Sequence, residues 1–165
     1  MAAPIAGTLE SRGYTLLSND TPHKHEEIRV GQLAVRFLVE GHESGGSVAI
    51  FEFDVPAAGN MPIAHSHDGY EETIYGIAGV LTLTVDGRRI DVGPGQAFCI
   101  RRGAVHRFDN HQRDEARMLA IVTPGILGPD YFREVAAIVQ AAAGGSPDFR
   151  ALAEVMRRHG LTPAI

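Results

Sequence analysis

The chain has 165 residues, 44% of them hydrophobic, which suffices for one domain with its own core. Its formal net charge is -5 at pH 7, so no basic footprint points to nucleic acid, and no long apolar run exists to span a membrane. Cys99 is the only cysteine, which excludes an internal disulfide.

The first residues lack a basic segment followed by an apolar one, so no signal peptide is expected, and a cytoplasmic location is the default expectation. Residues 1–30 are mixed and polar and read as an N-terminal arm or edge strand. The run His23-Lys24-His25-Glu26 lacks glycine framing and a strand pattern, and reads as solvated surface.

Residues 31–123 show short apolar runs broken by Gly, Pro, Asn and Asp. Strands are predicted at Leu33–Val39, Val48–Phe53, Thr73–Ile77, Val80–Val85, Gln96–Ile100 and Met118–Val122, where β-branched and aromatic residues are enriched. Asp86-Gly87 is a two-residue hairpin signal, and Gly93-Pro94-Gly95 marks another turn. Many short strands at close spacing predict an antiparallel sandwich or small barrel. Cys99 lies in an apolar strand and reads as a buried, inert thiol.

Residues 124–165 change period. Tyr131, Phe132, Val135, Ile138, Val139 and Ala142 recur at helical spacing, with Pro129 placed to start the helix and Gly144-Gly145 to stop it. A second helix reads Ser146 as its cap and Pro147 in its first turn, with Phe149, Leu152, Ala153 and Met156 on the buried face. Gly160 ends it, and Leu161 makes a closing apolar contact. One domain with a helical C-terminal appendage is the economical organisation.

Four residues carry chemistry: His65, His67, Glu72 and His106. His65 and His67 stand two apart, so on a strand both imidazoles point the same way. A turn at Asp68-Gly69 then lets the next strand bring Glu72 alongside, and His106 arrives from a distant strand. Three imidazoles and a carboxylate suit a divalent Fe, Mn, Ni, Co, Cu or Zn ion with one or two positions left open. A structural zinc would more often be closed, frequently by thiolates. Alternation places Met61 and Ile63 on the face of His65, Ile74 on that of Glu72, and Phe108 on that of His106. These four read as the wall of a pocket for an aromatic or apolar substrate, and equally as ordinary barrel core. Arg36, Arg107, His42, His111 and His159 read as surface residues.

Gly59, His65, His67, Glu72 and Gly79 stand at the spacings of the first of two paired motifs, and Gly95, Gly103, His106 and Asn110 at those of the second. In both respects the chain resembles the cupin superfamily. Arg101 stands where the second motif has proline, a departure that touches a turn and no ligand. The segment Thr123-Pro124-Gly125 followed by Asp130-Tyr131-Phe132-Arg133-Glu134 is similar to the tail of small single-domain, quercetin dioxygenase-like cupins. The resemblance implies an all-β fold, an antiparallel jelly-roll barrel with two C-terminal α-helices, paired as a homodimer. It further implies a divalent transition metal on His65, His67, Glu72 and His106, and a dioxygenase acting on an aromatic or enolisable small molecule. Glu72 would then be both ligand and general base. Two other readings stay open: an isomerase, lyase or cyclase using the metal as a Lewis acid, and a non-enzymatic small-molecule binder.

Overall fold

A computed structural model describes residues 25–61 and 63–164. His23, Lys24 and most of the predicted arm lie outside the described residues, while His25 is exposed.

Among the described residues, eleven strands and two helices follow one another as β1 (Glu27–Val30), β2 (Leu33–Val39), β3 (Ala49–Val55), β4 (His65–His67), β5 (Glu71–Ala78), β6 (Leu81–Val85), β7 (Arg88–Val92), β8 (Ala97–Ile100), β9 (His106–Asp109), β10 (Ala116–Thr123), α1 (Pro129–Ala141), α2 (Phe149–Arg158) and β11 (Leu161–Pro163). Each predicted strand is present, most with ends moved by one or two residues. The strands form two antiparallel sheets, in the orders β1-β2-β3-β10-β5-β8 and β11-β4-β9-β6-β7. This is an all-β jelly roll with two C-terminal helices, built as facing sheets.

Period-two alternation explains how the sheets pack. In β10, Ala116, Met118, Ala120 and Val122 are buried while Arg117 and Thr123 are exposed. Residues of both sheets share one core: Phe51, Phe53, Ile74 and Met118 from the first, Leu81, Leu83 and Phe108 from the second. The rings of Phe53 and Phe108 meet across the gap at 5.3 Å between centroids. Asp86 and Gly87 turn the β6–β7 hairpin with φ of 47° and 78°, the positive pair that a tight two-residue hairpin requires. At Gly79, φ is 68° and a Cβ would lie 2.5 Å from the Glu115 carbonyl oxygen, so only glycine fits between β5 and β6.

The helices cover one end of the sandwich. Val135, Leu152 and Val155 pack together with Val30, Ile63 and Tyr131 beneath them. The second helix starts differently from the sequence expectation. Its N-cap is Asp148, whose carboxylate accepts hydrogen bonds from the amides of Arg150 and Ala151, both at 3.0 Å. Ser146 and Pro147 therefore precede the helix, and Phe149 opens it on the outer side, half exposed. The buried face is Leu152, Ala153, Val155 and Met156. Leu161 does more than close the helix: it begins β11, which pairs with β4.

Two further expectations are corrected. Cys99 is exposed, because alternation on the edge strand β8 turns Phe98 and Ile100 to the core and Cys99 outward. Arg36 is largely buried beside Asp54, at 2.6 Å. No helix among the described residues is long and apolar enough to cross a membrane.

Candidate metal centre

Strand β4 presents His65 and His67, both buried, on its short run. Its only register partner on β9 joins His65 to His106, which sets those two imidazoles side by side. The ring centroids are 4.5 Å apart for His65–His106 and His67–His106, and 5.2 Å for His65–His67. One ligand atom from each imidazole lies within 4.8 Å of the other two. Glu72, on β5 of the opposite sheet, brings Oε2 to 3.7 Å from Nε2 of both His67 and His106. Glu71 instead pairs with Arg102 at 2.8 Å on the outside.

The backbone orients two rings. Nδ1 of His65 lies 3.2 Å from the Ile63 carbonyl, and Nδ1 of His106 lies 3.1 Å from the Ala104 carbonyl. A carbonyl only accepts, so Nδ1 donates in each case and Nε2 keeps its lone pair. The third ring, His67, is stacked on Tyr70 with 4.2 Å between centroids and 21° between planes. The Gly103 amide donates to the His67 carbonyl at 3.0 Å from a backbone with φ of 76°, which ties the second motif to the first. Asn110, fully buried, donates to the carbonyls of Val55 and Asp114 and so fastens the loop after β9 to the end of β3.

Electrostatics favours neutral imidazoles. Burial lowers His65 to about 3, with His106 adding to the effect. Burial likewise pushes His67 to about 2, reinforced by His106 and His65, and lowers His106. Burial raises Glu72 to about 7. Neutral nitrogens with free lone pairs are what a metal requires. His106 Nε2 is a buried polar atom with no partner among the described residues. Ligands about 2.1 Å from an ion stand roughly 3–3.5 Å from one another; Glu72 Oε2 is 3.7 Å from two of the imidazole nitrogens, and the three imidazole donors lie within 4.8 Å of one another. The donor set therefore fits a divalent transition ion.

The four residues line a cavity that Met61, Ile63, Ile74 and Phe108 also line. The other walls include Tyr131, Phe132 and Val135 of α1 and Leu152 and Met156 of α2. Sequence reasoning missed Tyr70, Tyr131 and β11 as parts of this site. Tyr70 lies inside the motif, between His67 and Glu72, but nothing local says that its ring meets His67. His159 is also not a plain surface residue: its Nε2 is 2.9 Å from Glu134 and its ring is 5.5 Å from that of Tyr131.

Comparison with known proteins agrees with this geometry. Residues 51–122 match the family described as the cupin domain. Quercetin 2,3-dioxygenase of Bacillus subtilis (strain 168) is 26% identical over 110 residues, 66% of this chain. The match spans only 31% of that relative's length. Among solved structures, a predicted oxalate decarboxylase from Thermotoga maritima superposes with a TM-score of 0.55 at 17% identity, covering 61% of this chain and 91% of that one. The cupin domain of Cnp3 from Schizosaccharomyces pombe gives a TM-score of 0.54 at 16% identity, over 84% of both chains. KdgF from Halomonas sp. gives 0.52 at 14% identity, over 62% of this chain and 86% of that one. At these identities the structures speak for the fold alone. Residues 51–122 thus match the cupin-domain family, and the described residues have the cupin fold.

Proposed function

We propose that this protein is a metal-dependent oxidoreductase, a dioxygenase acting on an aromatic or enolisable small molecule at His65, His67, Glu72 and His106. One observation carries the reading: three imidazoles and a carboxylate converge in the lining of an otherwise apolar cavity. A divalent transition ion bound there supplies Lewis-acid and redox chemistry to a substrate oxygen. The chain's own residues do the rest. The imidazoles hold their lone pairs toward one point, and the Tyr70 ring keeps His67 in its plane. Glu72, raised by burial to about 7, takes the proton of a substrate hydroxyl as general base. Ile63, Ile74 and Phe108 keep water from the reacting end. The likeness to the Bacillus dioxygenase supports an oxygen-dependent reaction, over less than a third of that protein. The same proposal takes the chain as a cytoplasmic homodimer with a small-molecule substrate and no nucleic-acid or membrane partner, in keeping with its net charge of -5.

The test is elemental analysis of protein purified without a metal column, followed by oxygen-uptake assays with phenols and diketones. A near-stoichiometric first-row metal and substrate-dependent oxygen uptake are expected. In Glu72→Gln, turnover should fall by about 10²–10⁴-fold, further than metal content falls. Turnover that ignores oxygen would move the site to Lewis-acid isomerase or lyase chemistry, and full activity in Glu72→Gln would remove its role as base.

A further inference from the structure

The lining of the cavity is of two chemical kinds. His65, His67, His106 and Glu72 make its polar part. Of the remaining described side chains that line it, Tyr131 alone carries a polar atom; the others are aliphatic, Phe or Met. No arginine, lysine, amide or small hydroxyl side chain faces the space among the described residues. A second carboxylate, a phosphate or a row of sugar hydroxyls would therefore be buried without partners, which weakens binding for every group left unpaired. A hydrocarbon body meets no such penalty and gains by leaving water.

Tyr131 is set to act on the oxygenated edge of such a molecule. It sits in the first turn of α1, its ring held edge-on by Phe132 at 4.9 Å and flanked by His159 at 5.5 Å. Burial, with the charge of Glu72 behind it, holds the phenol in its protonated form, and no side-chain hydrogen bond among the described residues engages it. Tyr131 thus brings to the cavity lining a phenol whose hydroxyl is used by no side-chain hydrogen bond among the described residues.

We infer that the site takes a molecule with an uncharged apolar body and one oxygenated edge, whose first oxygen lies at the histidine cluster and whose neighbouring oxygen accepts a hydrogen bond from Tyr131. This deepens the metal-dependent reading above and rests on it. Tyr131 is then a specificity determinant delivered by the C-terminal helix, and dicarboxylates and sugar acids are excluded as ligands.

The experiment uses the full chain loaded with zinc, which does not turn over by redox chemistry. Zinc content is measured first. Calorimetric titrations then compare 4-methylcatechol, 4-methylphenol, oxalate and D-gluconate. We expect 4-methylcatechol to bind at least about tenfold more tightly than oxalate or gluconate. In Tyr131→Phe, 4-methylcatechol should weaken by about tenfold, the equivalent of one hydrogen bond. Binding of 4-methylphenol and zinc content should stay unchanged, and the melting temperature should not fall. A merely structural role for Tyr131 would weaken both phenols alike, and that result overturns the inference. So does binding of oxalate or gluconate as tight as that of the catechol. Protein that takes up no zinc overturns the metal reading itself, and its failure is told apart because it appears before any ligand is added.

Discussion

His65 and His106 each give one ring nitrogen to a backbone carbonyl and keep the other for the cluster. That division of labour between two nitrogens makes each ring a directed ligand, where an unanchored imidazole would sample several rotamers. His65→Ala and His106→Ala should each lower zinc affinity by at least about 100-fold, taking loss of a ligand as no milder than loss of its supporting partner; competition against a chelator measures it. Tyr70 poses a different question. Its ring is fully buried against His67, yet its hydroxyl has no partner among the described residues. An unsatisfied buried hydroxyl costs about 1–3 kcal/mol. Tyr70→Phe should therefore raise stability, by roughly 1 kcal/mol, and Tyr70→Ala should lower it by about 3–5 kcal/mol through the cavity it leaves. Urea denaturation of the three proteins checks both signs. The shared direction of His65 and His67 was legible from spacing, because a period of two places them on one face, while Glu72 and His106 were singled out by the paired motifs. The partner of His67 was not, because stacking is a contact across a turn whose geometry no spacing rule encodes.

Among the elements, β4 is the one with least support of its own. It has three residues and meets β9 at a single register position. On its other side β11 pairs with all three residues: Leu161 with His67, Thr162 with Ser66, Pro163 with His65. The contact is extended by Ala164 donating to the Ala64 carbonyl at 2.8 Å and Asp68 donating to the Gly160 carbonyl at 2.9 Å. The Thr162 hydroxyl donates to Asp68 at 2.8 Å. The end of the chain thus braces the strand that carries two of the four candidate ligands. Deleting residues 161–165 should lower zinc affinity by about 10–100-fold, as loss of supporting partners does. Hydrogen exchange at β4 should quicken while β3 and β10 stay protected; equal exchange at β4 in both proteins would refute the brace. The helix that delivers β11 depends on its own cap, so Asp148→Ala should cost about 1 kcal/mol in thermal or chemical unfolding. Both helices were legible from their apolar period. The strand after them was hidden, since three residues cannot display an alternation and β11 exists only because β4 lies beside it.

At the scale of the whole molecule, the outer face of the larger sheet carries an ion network. Asp54 accepts from Arg36 at 2.6 Å and from Arg117 at 2.7 Å, and Arg36 reaches Glu27 at 3.1 Å. These contacts tie β1, β2, β3 and β10 across their registers. Burial works to raise the Asp54 carboxyl, but the hydrogen bonds from Arg117 and Arg36 and their charges outweigh it and hold it below its ordinary 3.8. Its stabilisation is therefore complete above the unfolded value and is lost as pH falls through the folded one. The gap in denaturation midpoint between wild type and Asp54→Asn should be widest near neutrality and shrink as pH drops below about 4; a gap that stays constant to acid would show that the network contributes through packing alone. What the sequence determined by itself was whatever depends on neighbours along the chain. That covers the strand faces, the hairpin at Asp86-Gly87, the apolar period of the helices and the candidate ligands spaced on their motifs. Contacts between elements settled the rest: the helices against the cavity, Tyr131 in its lining, Cys99 on the outer face and β11 against the strand of His65 and His67. The first kind is set by covalent geometry over two to four residues. The second is set by which buried surfaces fit together once all of them are present.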